Sequence, residues 1–176
     1  MRLLDRVRLL TSNVRVEPWG CALSKLEFDV ETFLTPEHVR SALLDFSDRR
    51  PEVWPNLSRK YYEVYSVGDT EADVREGSEM PGMTIWAREH YDWSQPHIVR
   101  WTARESTFCT PGSYMQAAIY PRYSGGTRVH VEWDRVGTGI RGKLLVGLIR
   151  ALRGKPIRSG LQASLRALEK RSSGTN

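Results

Sequence analysis

The sequence predicts an α+β fold: a curved antiparallel sheet of about seven strands wrapped around a long C-terminal helix, with two short helices after the first strand. Three observations predict it. Between residues 61 and 136, short runs rich in Tyr, Trp, Val and Ile alternate with turn signals such as Gly68-Asp69, Met80-Pro81-Gly82, Thr110-Pro111-Gly112 and Ser124-Gly125-Gly126-Thr127. Sequential hairpins of this kind imply an antiparallel sheet with one wet face. Residues 139–170 carry instead two apolar stripes at helical spacing: Leu145, Leu148, Ile149 and Leu152, then Ile157, Leu161, Leu165 and Leu168. Finally, Thr35-Pro36-Glu37-His38 is a helix start set directly after a strand-like run.

Residues 1–20 form an N-terminal extension in which Leu3, Val7 and Leu10 suit one face of a short surface helix, closed by Pro18-Trp19-Gly20. Residues 23–33 are the first strand, with Leu26, Phe28 and Val30 on one side and Lys25, Glu27, Asp29 and Glu31 on the other. Thr35 is placed to cap the next helix, with Pro36 at its first position and Val39, Ala42, Leu43 and Phe46 as its apolar face. Residues 51–54 fit one more helical turn before Pro55. The strands that follow are expected at 61–67, 72–76 (short, polar and at an edge), 83–93, 97–103, 113–122 and 128–136. The last alternates most cleanly, with Val129, Val131 and Trp133 opposite Arg128, His130, Glu132 and Asp134. At about 100° per residue a single straight helix would set the two C-terminal stripes roughly 150° apart. Both cannot then face one surface, and Pro156 in Gly154-Lys155-Pro156 breaks the rod.

The 176 residues suit one domain, residues 21–171, with 172–176 a disordered polar tail. Composition is that of a globular protein, 40% hydrophobic and 27% charged. Cys21 and Cys109 make neither a disulfide framework nor a metal motif, and no apolar run is long enough to span a bilayer. A cytoplasmic location is expected. The net charge of +5 is uneven: residues 139–171 hold nine Lys and Arg against Glu169 alone, a local +8 that leaves −3 for the rest. This basic segment is either a solvated helix face or an attraction to an anionic membrane, with nucleic acid the weaker partner because no aromatic residues interleave with the cations.

The pattern resembles the START/Bet v-type (SRPBCC) superfamily and, within it, the polyketide cyclase/dehydrase-like branch. The resemblance lies in FLTPEHVRSALLDFSDRRPEVWPNL (33–57), SGGTRVHVEWDRV (124–136) and GKPIRSGLQASLRALEK (154–170). It implies a helix-grip fold, and between sheet and helix an apolar cavity that holds a lipid or another hydrophobic small molecule.

Alternation then names the candidate ligand-binding wall: Met83, Ile85, Trp101, Ala103, Tyr114, Gln116, Ala118, Val129, Val131, Trp133, Leu161 and Leu165. The same residues suit a filled core. Glu89 shares a side with Met83, Ile85 and Ala87, where a carboxylate needs a partner, a raised pKa or water, unless a bulge turns it outward. A cyclase or dehydrase would need polar groups inside the cavity; the catalytic candidates are Glu89, Tyr114 and Tyr120, with Gln116 and Arg100 also available. The four histidines do not cluster, though His90 and His97 flank one turn, and no zinc, Walker, GxGxxG or nucleophile-elbow pattern occurs. No cofactor or metal is expected. The function expected is binding of a hydrophobic small molecule or lipid, the alternatives being a polyketide cyclase/dehydrase-type enzyme or a membrane-surface protein acting through the basic helices.

Overall fold

The computed structural model describes residues 25–80 and 82–173. The expected N-terminal extension and the last three residues of the expected tail lie outside them. Seven strands form one antiparallel sheet: β1 (Leu26–Thr32), β2 (Glu63–Val67), β3 (Glu71–Met80), β4 (Met83–Asp92), β5 (Ile98–Ser106), β6 (Tyr114–Pro121) and β7 (Thr127–Asp134). The sheet order is β1-β7-β6-β5-β4-β3-β2, a meander whose first strand returns to pair with the last. Between β1 and β2 lie α1 (Pro36–Leu43), α2 (Arg50–Val53) and a 3-10 turn (Arg59–Tyr61). After β7 come α3 (Gly139–Ala151) and α4 (Lys155–Ser173).

Local chemistry explains most boundaries. Thr35 Oγ1 accepts the His38 backbone N–H at 3.3 Å, capping α1, and Pro36 occupies a first-turn position that needs no N–H bond. At the end of α3, Arg153 and Gly154 both adopt positive φ. Their N–H groups return to the carbonyls of Arg150 and Ile149, a Schellman closure, so the chain turns before Pro156 enters α4. The break expected at 154–156 is therefore made jointly by a left-handed cap and a proline.

Register decides which side chains face inward. Phe28 opposes Val131, Ala117 opposes Val131, Met115 opposes Trp133, Trp101 opposes Met115 and Tyr91 opposes Trp101. Cross-strand partners share a face, and Ala72 of β3 opposes Tyr91 in turn, so one largely apolar surface runs from β1 to β3. On it Val30, Val129, Val131, Val99, Ala117, Ile119, Val74 and Tyr91 join Val39, Leu43 and Leu165 in the core.

Two expectations change. The segment predicted as a short polar edge strand is β3, ten residues long and internal to the sheet; β2 is the edge. Ala72 and Val74 are buried while Asp73 between them pairs with Arg88 on the other face, so the polar composition reflects a two-faced strand rather than an edge. The second change is the rotation of α3, whose buried residues are Gly142 and Val146, while Leu148 and Leu152 are exposed. A Cβ on Gly142 would lie 2.2 Å from the Phe108 carbonyl oxygen. Close backbone approach turns Gly142 and Val146 inward, so of the expected stripe only Leu145 and Ile149 stay half-buried.

Candidate functional site

Between the sheet and α4 lies a cavity of about 800 Å³. Ile85, Ala87, Trp101, Met115, Ala117 and Trp133 supply its sheet side; Leu161 and Ser164 of α4, and Leu145 and Ile149 of α3, face them. Trp54 and Leu57, from the chain after α2, close one end. Exposed residues line it at Asn56, Glu79, Met80, Leu148 and Pro156, which marks a mouth between the β3–β4 hairpin and the α3–α4 joint. Among the described residues the His, Cys, Asp and Glu side chains form no metal-holding group.

Two polar networks are set into this apolar wall. In the first, the buried Arg50 guanidinium donates to Glu76 Oε1 (2.5 Å), to the carbonyls of Leu43 (2.9 Å) and Asp45 (3.0 Å), and to the Tyr91 hydroxyl (3.1 Å). That hydroxyl donates in turn to Glu76 Oε2 at 2.8 Å. Burial opposes the Arg50 charge, but Glu76 more than offsets it and the guanidinium stays protonated; burial drives the Tyr91 phenol well above its ordinary range. Phe46 and Trp54 place their rings beside the same guanidinium, so the network is an end wall tied to α1 and α2.

The second network is the pair of Glu89 and Arg135. Glu89 is 4% exposed, and its Oε1 accepts from Arg135 Nη2 at 2.7 Å. Arg135 also donates to Cys109 Sγ (3.4 Å), and its own carbonyl accepts from Arg150 of α3 (3.1 Å). The other oxygen, Glu89 Oε2, is buried, has no hydrogen-bond partner and belongs to the cavity-lining carboxylate. Desolvation raises the Glu89 pKa; Arg135 works against that rise without cancelling it. A buried acceptor left unmet costs roughly 1–3 kcal/mol.

Of the sequence-named wall, the cavity brings together Ile85, Trp101, Trp133 and Leu161, and it adds Glu89. A register shift does occur beside Glu89, but the extra residue, Arg104, falls on β5, so β4 keeps its alternation and the carboxylate stays inside. Ala103, Val129, Val131 and Leu165 are buried on the inner side without lining the space, and Met83 sits half-buried at the start of β4.

Tyr114, Gln116, Ala118 and Tyr120 lie on the opposite face and are corrections. Met115 and Ala117 pair with Trp133 and Val131, so their neighbours on β6 must point away. Ala118 opposes His130, whose ring meets Asp29 at 2.8 Å on that outer side. Tyr114 stacks against Arg100 with 3.7 Å from ring centre to guanidinium carbon, also outside the cavity, and Tyr120 is exposed. The polar stripe read along β6 thus faces away from the space it was expected to serve. His90 sits opposite Thr102 with its ring toward Glu71, and His97 is exposed.

Sequence reading passed over Arg50, Glu76, Tyr91, Arg135 and Met115. Three had a signal: Glu76 is two residues beyond Val74, Tyr91 is two beyond Glu89, and Arg135 is two beyond Trp133, so period 2 sets each on its neighbour's side. Arg50 had none, because its burial depends on where the α1–α2 corner lands.

No family model and no curated protein matches this chain. Solved structures do. Zhui aromatase/cyclase from a Streptomyces species superposes with TM-score 0.68 at 12% identity, over 85% of this chain and 95% of that one. A START superfamily protein from Mycobacterium smegmatis gives 0.62 at 16%, over 82% and 98%. A STAR-related lipid transfer protein from Xanthomonas axonopodis gives 0.59 at 16%, over 81% and 85%.

Proposed function

We propose, starting from the START/Bet v-type helix-grip fold that this chain has, that it binds a largely apolar small molecule or lipid carrying one hydrogen-bond donor. The observation that carries this is the unfilled space of about 800 Å³ under α4, of a size that holds a ligand. Trp54, Trp101, Met115, Trp133 and Leu161 supply affinity by removing apolar surface from water, at about 25 cal/mol per Å². Glu89 Oε2 supplies orientation, since a hydroxyl or N–H placed there satisfies a lone pair that nothing else meets. Arg135 holds that carboxylate in place.

The raised pKa of Glu89 favours a second reading, a cyclase/dehydrase-type enzyme acting on a polyketide-like substrate. A carboxyl that keeps its proton more readily than usual, inside a cavity, is able to pass that proton to a ligand oxygen. Tyr114 and Tyr120 take no part in it, because both face away.

Titration with N-phenyl-1-naphthylamine, an apolar fluorophore with a single N–H, tests the binding reading. Saturable brightening is expected, together with a retained apolar ligand in native mass spectrometry of protein from its own host. A folded protein that takes up no probe overturns it. Incubation with a linear poly-β-ketone thioester separates the second reading: a product lighter by one water assigns the enzyme, and unchanged ligand assigns the binder.

A further inference from the structure

A helix on the surface of a globular protein normally turns a polar face to water. α3 does not. Ile140 is 80% exposed, Leu144 69%, Leu148 57% and Leu152 43%, and these residues recur every fourth position. Ala151 lies between Ile140 and Leu144 on that side, Gly147 lies beside Ile140, and Arg141 lies between Leu148 and Leu152, all three exposed. At about 100° per residue, Ile140, Leu144 and Leu148 span roughly 80° of arc, with Lys143 at one edge and Arg141 at the other. Arg153, Lys155 and Arg158, all exposed, continue the basic border past the end of the helix. None of these five cations enters an ion pair among the described residues.

We propose that α3 docks the protein on an anionic lipid bilayer, its apolar stripe entering the acyl boundary while the bordering lysines and arginines meet the headgroups. Charge selects this occupant. Residues 139–171 carry +8 against −3 for the rest of the chain, so two copies meeting through this face would bring like charges together. An apolar stripe edged by unpaired cations is the composition of a helix lying in the plane of a membrane interface, held by buried apolar area and by attraction to anionic lipid. The stripe is also continuous with the mouth of the cavity: Leu148 belongs to both, and Leu145 and Ile149 lead inward from it. Docking therefore presses the mouth against the bilayer, and a lipophilic ligand exchanges with the membrane without crossing water. This last role rests on the cavity reading above; the docking itself does not.

Co-flotation of the full chain with vesicles tests the proposal, using phosphatidylcholine alone and phosphatidylcholine containing phosphatidylserine. Partitioning onto the anionic vesicles is expected, at least about tenfold stronger than onto the neutral ones and weakened by added salt. The double substitution Ile140→Ser and Leu144→Ser replaces no cavity-lining residue. It lowers anionic-vesicle partitioning by about tenfold or more and leaves uptake of N-phenyl-1-naphthylamine in solution unchanged. No partitioning of the wild type, or equal partitioning of the variant, overturns the proposal. So does a wild-type dimer by sedimentation that the variant lacks, since the stripe is then an interface between copies. Vesicle binding without any probe uptake upholds the docking and removes the cavity reading.

Discussion

Replacing Ala117 by Leu asks directly whether the interior is open. Ala117 is buried on β6 between Val99 and Val131, and it lines the cavity beside Met115 and Trp101. Leu adds three carbons. In a filled core such an addition forces neighbours off their rotamers and costs about 1–3 kcal/mol. In open apolar space each added carbon gains roughly 0.8 kcal/mol, about 2.4 kcal/mol for three. Ordering a leucine side chain takes back about 0.5–1 kcal/mol, leaving a net gain of about 1.5 kcal/mol. At about 2–4 °C per kcal/mol for a chain of this length, Tm rises by about 3–6 °C. The same carbons occupy ligand space, so affinity for N-phenyl-1-naphthylamine falls tenfold or more, the equivalent of about 1.4 kcal/mol. Ligand-free thermal melts and probe titrations on the same preparations read both effects. A lower Tm with unchanged probe uptake refutes the open interior.

Two further predictions concern the buried charges. Glu89 has a folded-state pKa above its ordinary 4.5, so the stability it contributes is complete below that pH and is lost as pH rises through the folded value. Glu89→Gln cannot titrate; the Tm difference, variant minus wild type, therefore becomes more positive as pH is raised from 4.5, and a flat difference would show that the carboxyl is not perturbed. Arg50→Met leaves the Glu76 carboxylate beside Tyr91, and the Leu43 and Asp45 carbonyls, without their cation. Removing one partner of a buried pair costs about 3–5 kcal/mol, to be measured by urea unfolding. The double variant Arg50→Met/Glu76→Gln is expected to lose less than the single one, because no unpaired charge remains.

Much of the architecture was legible in the chain itself. Strand number, antiparallel pairing, the Thr35-Pro36 helix start and the turn before Pro156 each follow from local chemistry: turn glycines, caps and a two-residue alternation that needs no knowledge of neighbours. The α4 stripe was equally readable, since Leu161 and Leu165 bury at helical spacing on one rod. Facing was harder. Alternation tells which residues of a strand share a side but not which side is inner, and on β6 the aromatic and polar residues drew attention to the wrong one. Only the pairing of Met115 with Trp133, a contact across the hairpin, settles it. The rotation of α3 was likewise set by Gly142 seating on the Phe108 backbone, a steric fit that hydrophobicity cannot register. The two charge networks joined Arg50 to Glu76 and Glu89 to Arg135 across 26 and 46 residues of sequence. Such partners meet only once strands have paired and helices have packed, because desolvation and ion pairing depend on distances that no local pattern specifies.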